Sequence, residues 1–398
     1  MVGMDSIVTY IEREQRTFAE LPFNAVDSLV FSSLCYFNFD EVVVADNIRQ
    51  TLRCNLDTHT EQRVPLFDIL SLADTEVLTR GSWLKDAEET PQFVLALRMS
   101  RRYRFVTVAF FANEMADAVD KQFSASTFFF ENEQGEVAYI AFRGTDGTLT
   151  GWKEDFNLSY KTVIPSQRSA VAYVSGVSSA TNCPLILGGH SKGGNLAQYA
   201  ALCTDGMTYR RILAVYDHDG PSFLEDPSPR RLTQTYEQKL HKLVPESSAF
   251  GMILERRDDY RVVQASAFAL FQHRPFAWIV DGDDFVYQET LNSSAQFFDD
   301  ALDAWLRSKS PTERERFIQT IYDLITQTNA TSWAEFQTRL ASNMATVMGA
   351  GSKLDPDTKQ FLVSTIKGLG RTLRMQTIER LKNAGSSIWQ GEARKRSE

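Results

Sequence analysis

The chain has 398 residues, and 43% of them are hydrophobic, which is enough for one large core or for one core with an added module. Its formal net charge is −9 and no basic stripe alternates with aromatic residues, so we expect no nucleic-acid partner. No stretch reaches the roughly 18 apolar residues of a membrane span, and residues 1–17 lack the apolar segment of a secretory signal, which predicts a cytoplasmic protein. Four widely spaced cysteines predict free thiols, and we expect neither a metal nor a cofactor.

The first hundred residues predict helices. Asn24 is placed to cap a helix with Val26 and Leu29 on its apolar face. Residues 67–78 and 89–100 carry apolar side chains at spacings of three and four, as amphipathic helices do. We therefore interpret residues 1–100 as a helical N-terminal region packed on the core that follows.

Residues 101–289 predict that core. Residues 105–112 and 122–131 are rich in aromatic and β-branched side chains, and a turn at 132–135 leads into a third strand at 137–142. Strands and helices then alternate, with strands expected at 184–187, 212–216, 241–244 and 260–266, and helices at 166–181, 195–202, 229–240 and 249–254. This order predicts an α/β fold with a mostly parallel sheet and helices on both faces, which the opening hairpin makes mixed.

The chain from residue 290 to residue 398 predicts a helical extension. Helix starts are indicated by Ser310 with Glu313, by Ser332 with Glu335, and by Asp355 before a proline. Basic residues recur among apolar ones further on: Lys359, Lys367, Arg371, Arg374, Arg380 and Lys382. A solvated charged face is the commoner meaning of such a pattern, and peripheral contact with a membrane through these terminal helices is the alternative.

The motif Gly-x-Ser-x-Gly at residues 189–193 is the strongest functional signal in the chain. An apolar strand is expected just before it and a helix just after it, and this context raises the serine hydroxyl above the end of a sheet. Ser191 is therefore the predicted nucleophile. The competing interpretation is a glycine-rich turn in which the serine only caps a helix.

A serine nucleophile needs a base, and position along the sheet sorts the five histidines. His190 adjoins the nucleophile, His241 begins its strand, His59 precedes the sheet, and His218 leaves no strand for an acid between it and Ser191. His273 follows the last expected strand, where an α/β-hydrolase has its base. The alternative for His273 is a structural turn residue.

Two carboxylates could orient that base. Asp219 follows the strand at 212–216, and Glu246 follows the next strand, so both satisfy the order serine, acid, histidine. We prefer Asp219 and keep Glu246 as the alternative acid. Each also has a structural interpretation, because Asp-Gly-Pro is an ordinary turn and a glutamate suits a helix N-terminus.

The tetrahedral intermediate requires two donors for its oxyanion. The backbone N–H of Lys192, directly after the nucleophile, is the first. Thr145 lies in the loop after the strand at 137–142 and could supply a backbone N–H and a hydroxyl. We expect a buried Trp152 and an Asp155 bonded to Arg143 to fix this loop, against the alternative of a plain turn.

Two motif groups carry a resemblance to a known family: Ala141-Phe142-Arg143-Gly144-Thr145 with Trp152 and Asp155, and Gly189-His190-Ser191-Lys192-Gly193-Gly194. With them the chain resembles class 3 lipases. It resembles more closely a bacterial family of uncharacterised lipase-like α/β-hydrolases, whose further marks are residues 23–27, 151–156, 219–221, 244–248 and 272–278. The resemblance spans about Tyr10 to Phe285 and implies an α/β-hydrolase fold, with Ser191, His273 and Thr145 in the roles given above.

Two residues depart from the lipase pattern. Lys192 stands where true lipases have leucine, and Lys192 makes the elbow polar. The acid that class 3 lipases carry before their Val-Pro would fall at Lys242, so the acid of this chain has to be found elsewhere. The leading hypothesis is a serine esterase acting on a small-molecule acyl ester through Ser191, His273 and Asp219. The alternative is an inactive scaffold or interaction protein, although such a relic would be expected to have lost a triad member.

Overall fold

The computed structural model describes residues 5–39, 62–79, 88–228, 233–248, 250–267, 269–328, 339–364 and 367. This part of the chain forms two compact units, and the division falls between Leu291 and Asn292. None of the helices within the described ranges is long and apolar enough to cross a membrane.

The first unit begins with short helices. They are α1 (Ile7–Arg13), α2 (Ala25–Leu34), α3 (Leu66–Leu72), α4 (Thr75–Leu78) and α5 (Glu89–Met99). Asn24 caps α2 as predicted, because its side chain accepts from the Asp27 N–H at 3.0 Å while Asp27 accepts from the Asn24 N–H. The structure has two helices, α3 and α4, where a single helix was expected at 67–78. The second begins after Asp74, whose side chain caps it by accepting from Glu76 N.

One large sheet forms the centre of this unit. In order across the sheet, its strands among the described residues are β1 (Val64–Pro65), β2 (Thr107–Ala116), β3 (Lys121–Asn132), β4 (Gly135–Phe142), β5 (Leu185–His190), β6 (Ile212–His218), β7 (Leu240–Pro245), β8 (Tyr260–Val263) and β11 (Tyr287–Gln288). The strands β4 to β8 are parallel, and the edge strands pair antiparallel. A separate hairpin joins β9 (Val280–Asp281) to β10 (Asp284–Phe285). The predicted mixed, mostly parallel sheet is confirmed.

Further helices connect these strands. They are α6 (Leu149–Asn157), α7 (Pro165–Ala180), α8 (Lys192–Cys203), α9 (Gly206–Arg211) and α10 (Gln234–Glu237). Because parallel neighbours in the sheet follow one another in the chain, right-handed crossovers place their helices on one face. Alternate residues of each strand face opposite sides, so Ile140 and Leu187 pack with α7 and α8 while Tyr139 and Ile186 pack with α1 and α2. The N-terminal helices therefore cover the face that the crossovers leave open.

Two predicted helices differ from the structure, and one helix was not predicted. The helix expected at 229–240 is reduced to α10, although residues 229–232 lie outside the described residues. Residues 250–254 form turns rather than a helix, and Leu254 has φ +61°, which a continuing helix does not allow. Helix α6 was not expected, because Gly151 in its first turn weakens the helical pattern, but Thr148 caps it through a bond from Gly151 N.

His218 ends β6 and lies under α2. It is fully buried, and its Nε2 is 2.8 Å from Ser28 Oγ. Burial lowers the pKa of His218 to about 3, so the folded protein keeps it neutral while the unfolded chain protonates it below about pH 6.5. Stability from this residue is therefore complete above that pH and is lost as the pH falls.

We expect His218→Asn to change this pH dependence. In the unfolded wild type His218 takes up a proton as the pH falls, and the variant has no such group. The unfolding free energy of the variant minus that of the wild type should therefore rise by about 1.4 kcal/mol for each unit by which the pH is lowered from about 6 to about 4. Urea unfolding at several pH values measures this difference, and any contribution of the other buried histidines, His190 and His273, cancels because both proteins contain them. A difference that stays constant with pH would contradict the prediction.

The second unit is helical within its described residues. It contains α11 (Ser293–Arg307), α12 (Pro311–Thr326) and α13 (Leu340–Ser352), and residues 356–364 are also helical. The predicted capping box at Ser310 and Glu313 is present, and Asp355 accepts from Thr358 N at 2.9 Å. The predicted start at Ser332 and the basic residues Arg371, Arg374, Arg380 and Lys382 lie outside the described residues.

Candidate active site

Ser191 occupies a tight turn between β5 and α8. Its φ of +58° lies in the left-handed region, which a non-glycine residue rarely adopts outside strained functional turns. The two flanking glycines have no room for a side chain. A Cβ on Gly189 would lie 2.3 Å from the Gly193 carbonyl carbon, and one on Gly193 would lie 2.1 Å from Phe142 O. The turn thus presents a partly exposed serine directly before the N-terminus of a helix.

Asp219 and His273 are in direct contact. His273 Nδ1 lies 2.6 Å from Asp219 Oδ2, and both side chains are buried. Asp219 follows β6 with φ +59°, and its other carboxylate oxygen accepts hydrogen bonds from Ser248 Oγ and Gly251 N. These bonds fix the carboxylate, which in turn fixes the tautomer of the imidazole with its proton on Nδ1.

Glu246 has a different partner. Its Oε1 accepts from Gln272 Nε2 at 3.2 Å, and among the described residues Glu246 makes no bond to His273. The Gln272 side chain also accepts from Ser247 N, and its main-chain carbonyl accepts from the buried Trp278 indole at 2.9 Å. Glu246 therefore helps to hold the loop before His273, and the structure brings only Asp219 to the imidazole.

His190 supports the same loop from the elbow side. Its Nε2 is 2.7 Å from the His273 carbonyl oxygen and donates to it, so Nδ1 accepts from the Tyr36 hydroxyl at 3.1 Å. Burial, reinforced by the neighbouring His273, holds the pKa of His190 well below its usual range, which keeps this tautomer neutral. The residue before the nucleophile thus contacts the residue that carries the base.

The loop after β4 lies against the nucleophile. A Cβ on Gly144 would lie 3.1 Å from Ser191 Cβ and 2.6 Å from His190 O, so only glycine allows this approach. The next residue, Thr145, donates its hydroxyl to Asp155. The hydroxyl proton is thereby engaged, so of the two groups predicted as oxyanion donors only the Thr145 backbone N–H remains a candidate.

Asp155 does not bond Arg143 as expected. Arg143 donates to Asn113 at 3.1 Å and lies 3.5 Å from Asp146, whereas Asp155 faces Thr145 and, at 3.8 Å, Lys192 Nζ. Burial raises the pKa of Asp155 to about 6, although Lys192 and the Thr145 hydroxyl act to lower it. The prediction failed because the sequence gives no sign that Lys192 turns inward.

The Lys192 side chain is buried. Its Nζ donates to Glu154 Oε2 at 2.9 Å and to the carbonyl and side-chain oxygens of Gln122 at 3.0 and 2.8 Å. The helix α8 begins at Lys192, so its first backbone N–H groups have no carbonyl partner within the helix and point towards the serine turn. This is the position of the first predicted oxyanion donor.

Lys242, at the position of the acid of class 3 lipases, belongs to a second buried charge cluster. Its Nζ lies 2.6 Å from Glu255 and 3.6 Å from Asp217, and it donates to Gly220 O at 3.0 Å. Burial raises the pKa of Asp217 to about 6, whereas for Glu255 the cations Lys242 and Arg257 outweigh burial and lower the pKa to about 2. The cluster holds the turn that carries Asp219.

Sequence reasoning missed several supporting residues. Asn195 accepts from Gln167 and donates to Pro221 O at 2.9 Å, which ties the elbow helix to the turn after Asp219. Glu154 and Tyr36 were also missed. Glu154 lies inside the motif at residues 151–156 and Asn195 directly follows the elbow motif, and these locations were the signal available for them.

Comparison with known proteins gives a family. The model of the Mbeg1-like family matches residues 97–323, more than half of the chain, and this span contains the elbow, the loop after β4, Asp219 and His273. No curated protein matches the sequence. Among solved structures, the chain is similar to one titled "Crystal structure of M37 lipase", with 13% identity, a TM-score of 0.36, and coverage of 58% of this chain and 70% of that chain. The sheet and its elbow give the chain an α/β-hydrolase fold, and the chain belongs to the Mbeg1-like family, which is lipase-like.

Proposed function

We propose that the protein is a serine hydrolase that cleaves a carboxylic ester. The observation that carries the proposal is the contact of 2.6 Å between Asp219 and His273, on a loop whose main chain is bonded to the residue before Ser191. This arrangement supports a nucleophile, a base and an orienting acid at the carboxyl ends of the parallel strands.

The reaction then follows from these groups. Ser191 Oγ attacks the acyl carbon while His273 Nε2 takes the hydroxyl proton, and Asp219 stabilises the imidazolium that forms. Collapse of the tetrahedral intermediate breaks the ester C–O bond, and His273 returns the proton to the leaving alcohol. Water, deprotonated by His273, then attacks the acyl-enzyme and releases the carboxylic acid and free Ser191.

The oxyanion is stabilised by two backbone donors. The Lys192 N–H at the start of α8 is one, and the Thr145 N–H in the loop against Ser191 is the other. Both belong to segments that glycines bring close to the nucleophile, so the site requires little rearrangement as charge develops.

A fluorophosphonate probe tests the proposal. The probe should label the wild type and should not label Ser191→Ala, because only an activated serine is phosphonylated at a useful rate. Ser179→Ala removes an exposed serine of α7 and is the matched control, which should label as the wild type does. The Ser191→Ala variant should also fail to hydrolyse a short p-nitrophenyl ester.

Two outcomes would contradict the proposal. An unlabelled wild type would favour the inactive scaffold, and equal labelling of Ser191→Ala would place the reactive residue elsewhere.

A further inference from the structure

We propose that the Lys192 side chain positions the two oxyanion donors relative to each other. The inference rests on the proposed function and extends it, because that function uses only the Lys192 backbone. Lys192 is a positioning residue in this role: its ammonium group acts through the backbone N–H groups of residues 192 and 145.

The Lys192 side chain links the elbow to other parts of the fold. The Lys192 main chain begins α8 directly after Ser191, and its side chain is 1% exposed. Its Nζ donates to two oxygens of Gln122 on β3 and to Glu154 on α6. An ammonium group has three protons, so these three bonds use all of them. The elbow is thereby tied to a strand and a helix that are distant from it in sequence.

The other end of this link is the loop that carries Thr145. Helix α6 follows this loop directly, and its neighbouring residues Glu154 and Asp155 both face Lys192 Nζ, at 2.9 and 3.8 Å. Asp155 accepts the Thr145 hydroxyl. A Cβ on Gly151 would lie 2.9 Å from Thr145 Cγ2, so α6 packs closely on Thr145. A continuous series of contacts therefore runs from one oxyanion donor to the other through the Lys192 ammonium.

Glu154 anchors the series to the core. Its carboxylate also accepts from Gln122 N, Ser166 N and Ser166 Oγ, so both oxygens are engaged and the side chain is fully buried. A buried carboxylate of this kind requires a cation, and leucine at position 192 would leave it without one. The lysine is thus required by Glu154 and Asp155, which explains the departure from the lipase pattern.

Two variants test the positioning role. Lys192→Met removes the ammonium and keeps the backbone N–H, but it leaves the buried Glu154 carboxylate uncompensated and lowers stability. Lys192→Met/Glu154→Gln removes the charge of the pair and keeps a side-chain acceptor for Ser166, so it should recover part of that stability. Because displacement of a catalytic group by about 1 Å can cost roughly 100-fold, we expect both variants to lose about 10-fold to 100-fold in kcat per active site.

Active sites are counted by titration with the fluorophosphonate, so that unfolded molecules do not enter kcat. A trifluoromethyl ketone, which forms a tetrahedral adduct with its oxygen in the oxyanion site, supplies a second measurement. Its inhibition constant should rise by about the same factor as kcat falls, since both report transition-state stabilisation.

Asp27→Asn is the matched control. Asp27 forms a buried ion pair with Arg102 at 2.6 Å, and its other side-chain bonds join Tyr10, Asn24 and Tyr103 rather than the elbow or the loop after β4. Its loss should therefore lower stability while kcat per titrated site stays within twofold of wild type. The proposal is overturned if the double variant keeps the wild-type kcat per titrated site, or if Asp27→Asn loses as much as Lys192→Met. If the probe does not label the wild type, the proposed function itself is wrong. If the wild type is labelled and the Lys192 variants keep the wild-type kcat, only this inference is wrong.

Discussion

Asp219→Asn is expected to lower kcat on a short p-nitrophenyl ester by about 10⁴-fold, by analogy with the same change in a serine protease triad. An asparagine can still accept the bonds from Ser248 and Gly251 through its oxygen, so the turn should survive. Its amide group cannot stabilise the imidazolium, and it favours the tautomer of His273 with the proton on the wrong nitrogen. The measurement is kcat per folded molecule, with the folded fraction taken from urea unfolding, because the fluorophosphonate does not titrate a serine that is no longer activated.

Glu246→Gln is the matched control for this prediction. Both changes replace a carboxylate by an amide, but Glu246 contacts Gln272 and not the imidazole. We expect kcat to change by no more than a few-fold. If Glu246→Gln is the more damaging of the two, the acid has been assigned to the wrong carboxylate.

Asp27→Asn is expected to lower the free energy of unfolding by about 3–5 kcal/mol, the range for breaking a buried ion pair. The Asp27 carboxylate accepts from Arg102 Nε and Nη2 at 2.8 and 2.6 Å, and from the hydroxyls of Tyr10 and Tyr103. The Arg102 guanidinium also donates to main-chain carbonyls at 16, 17, 21 and 22. The substitution leaves this guanidinium buried and without its carboxylate.

Urea unfolding measures the loss, and Asp5→Asn provides the comparison. Asp5 pairs with Arg13 at the surface, where the arginine is 45% exposed, so its removal should cost at most about 1 kcal/mol. Equal losses in the two variants would show that burial of the Asp27 pair contributes nothing.

The elbow could be predicted from sequence because its requirements are local. A strand, two glycines around a serine and a helix follow one another within 20 residues, and the backbone geometry allows few other sequences. His273 could be selected by position along the chain, since each alternative lay at the wrong point of the sheet. The structure places it against Asp219.

The interactions of charged side chains could not be predicted in this way. The choice between Asp219 and Glu246 depends on a φ of +59° at Asp219 and on bonds from residues about 30 positions later. The buried position of Lys192 depends on Gln122, 70 residues earlier. Composition and spacing carry no record of such pairings, and a lysine in a helix would ordinarily be expected to face solvent.

The arrangement of the sheet has a consequence for synthesis of the chain. Helix α2 packs on β4, β5, β6 and β10, and β10 is made about 250 residues after α2. At roughly 5–20 residues per second, the apolar face of α2 waits about 10 to 50 s on the ribosome for the complete surface that buries it. The nascent N-terminal segment therefore exposes apolar surface during synthesis, and the unit can close only after translation has passed His273 and the last strands.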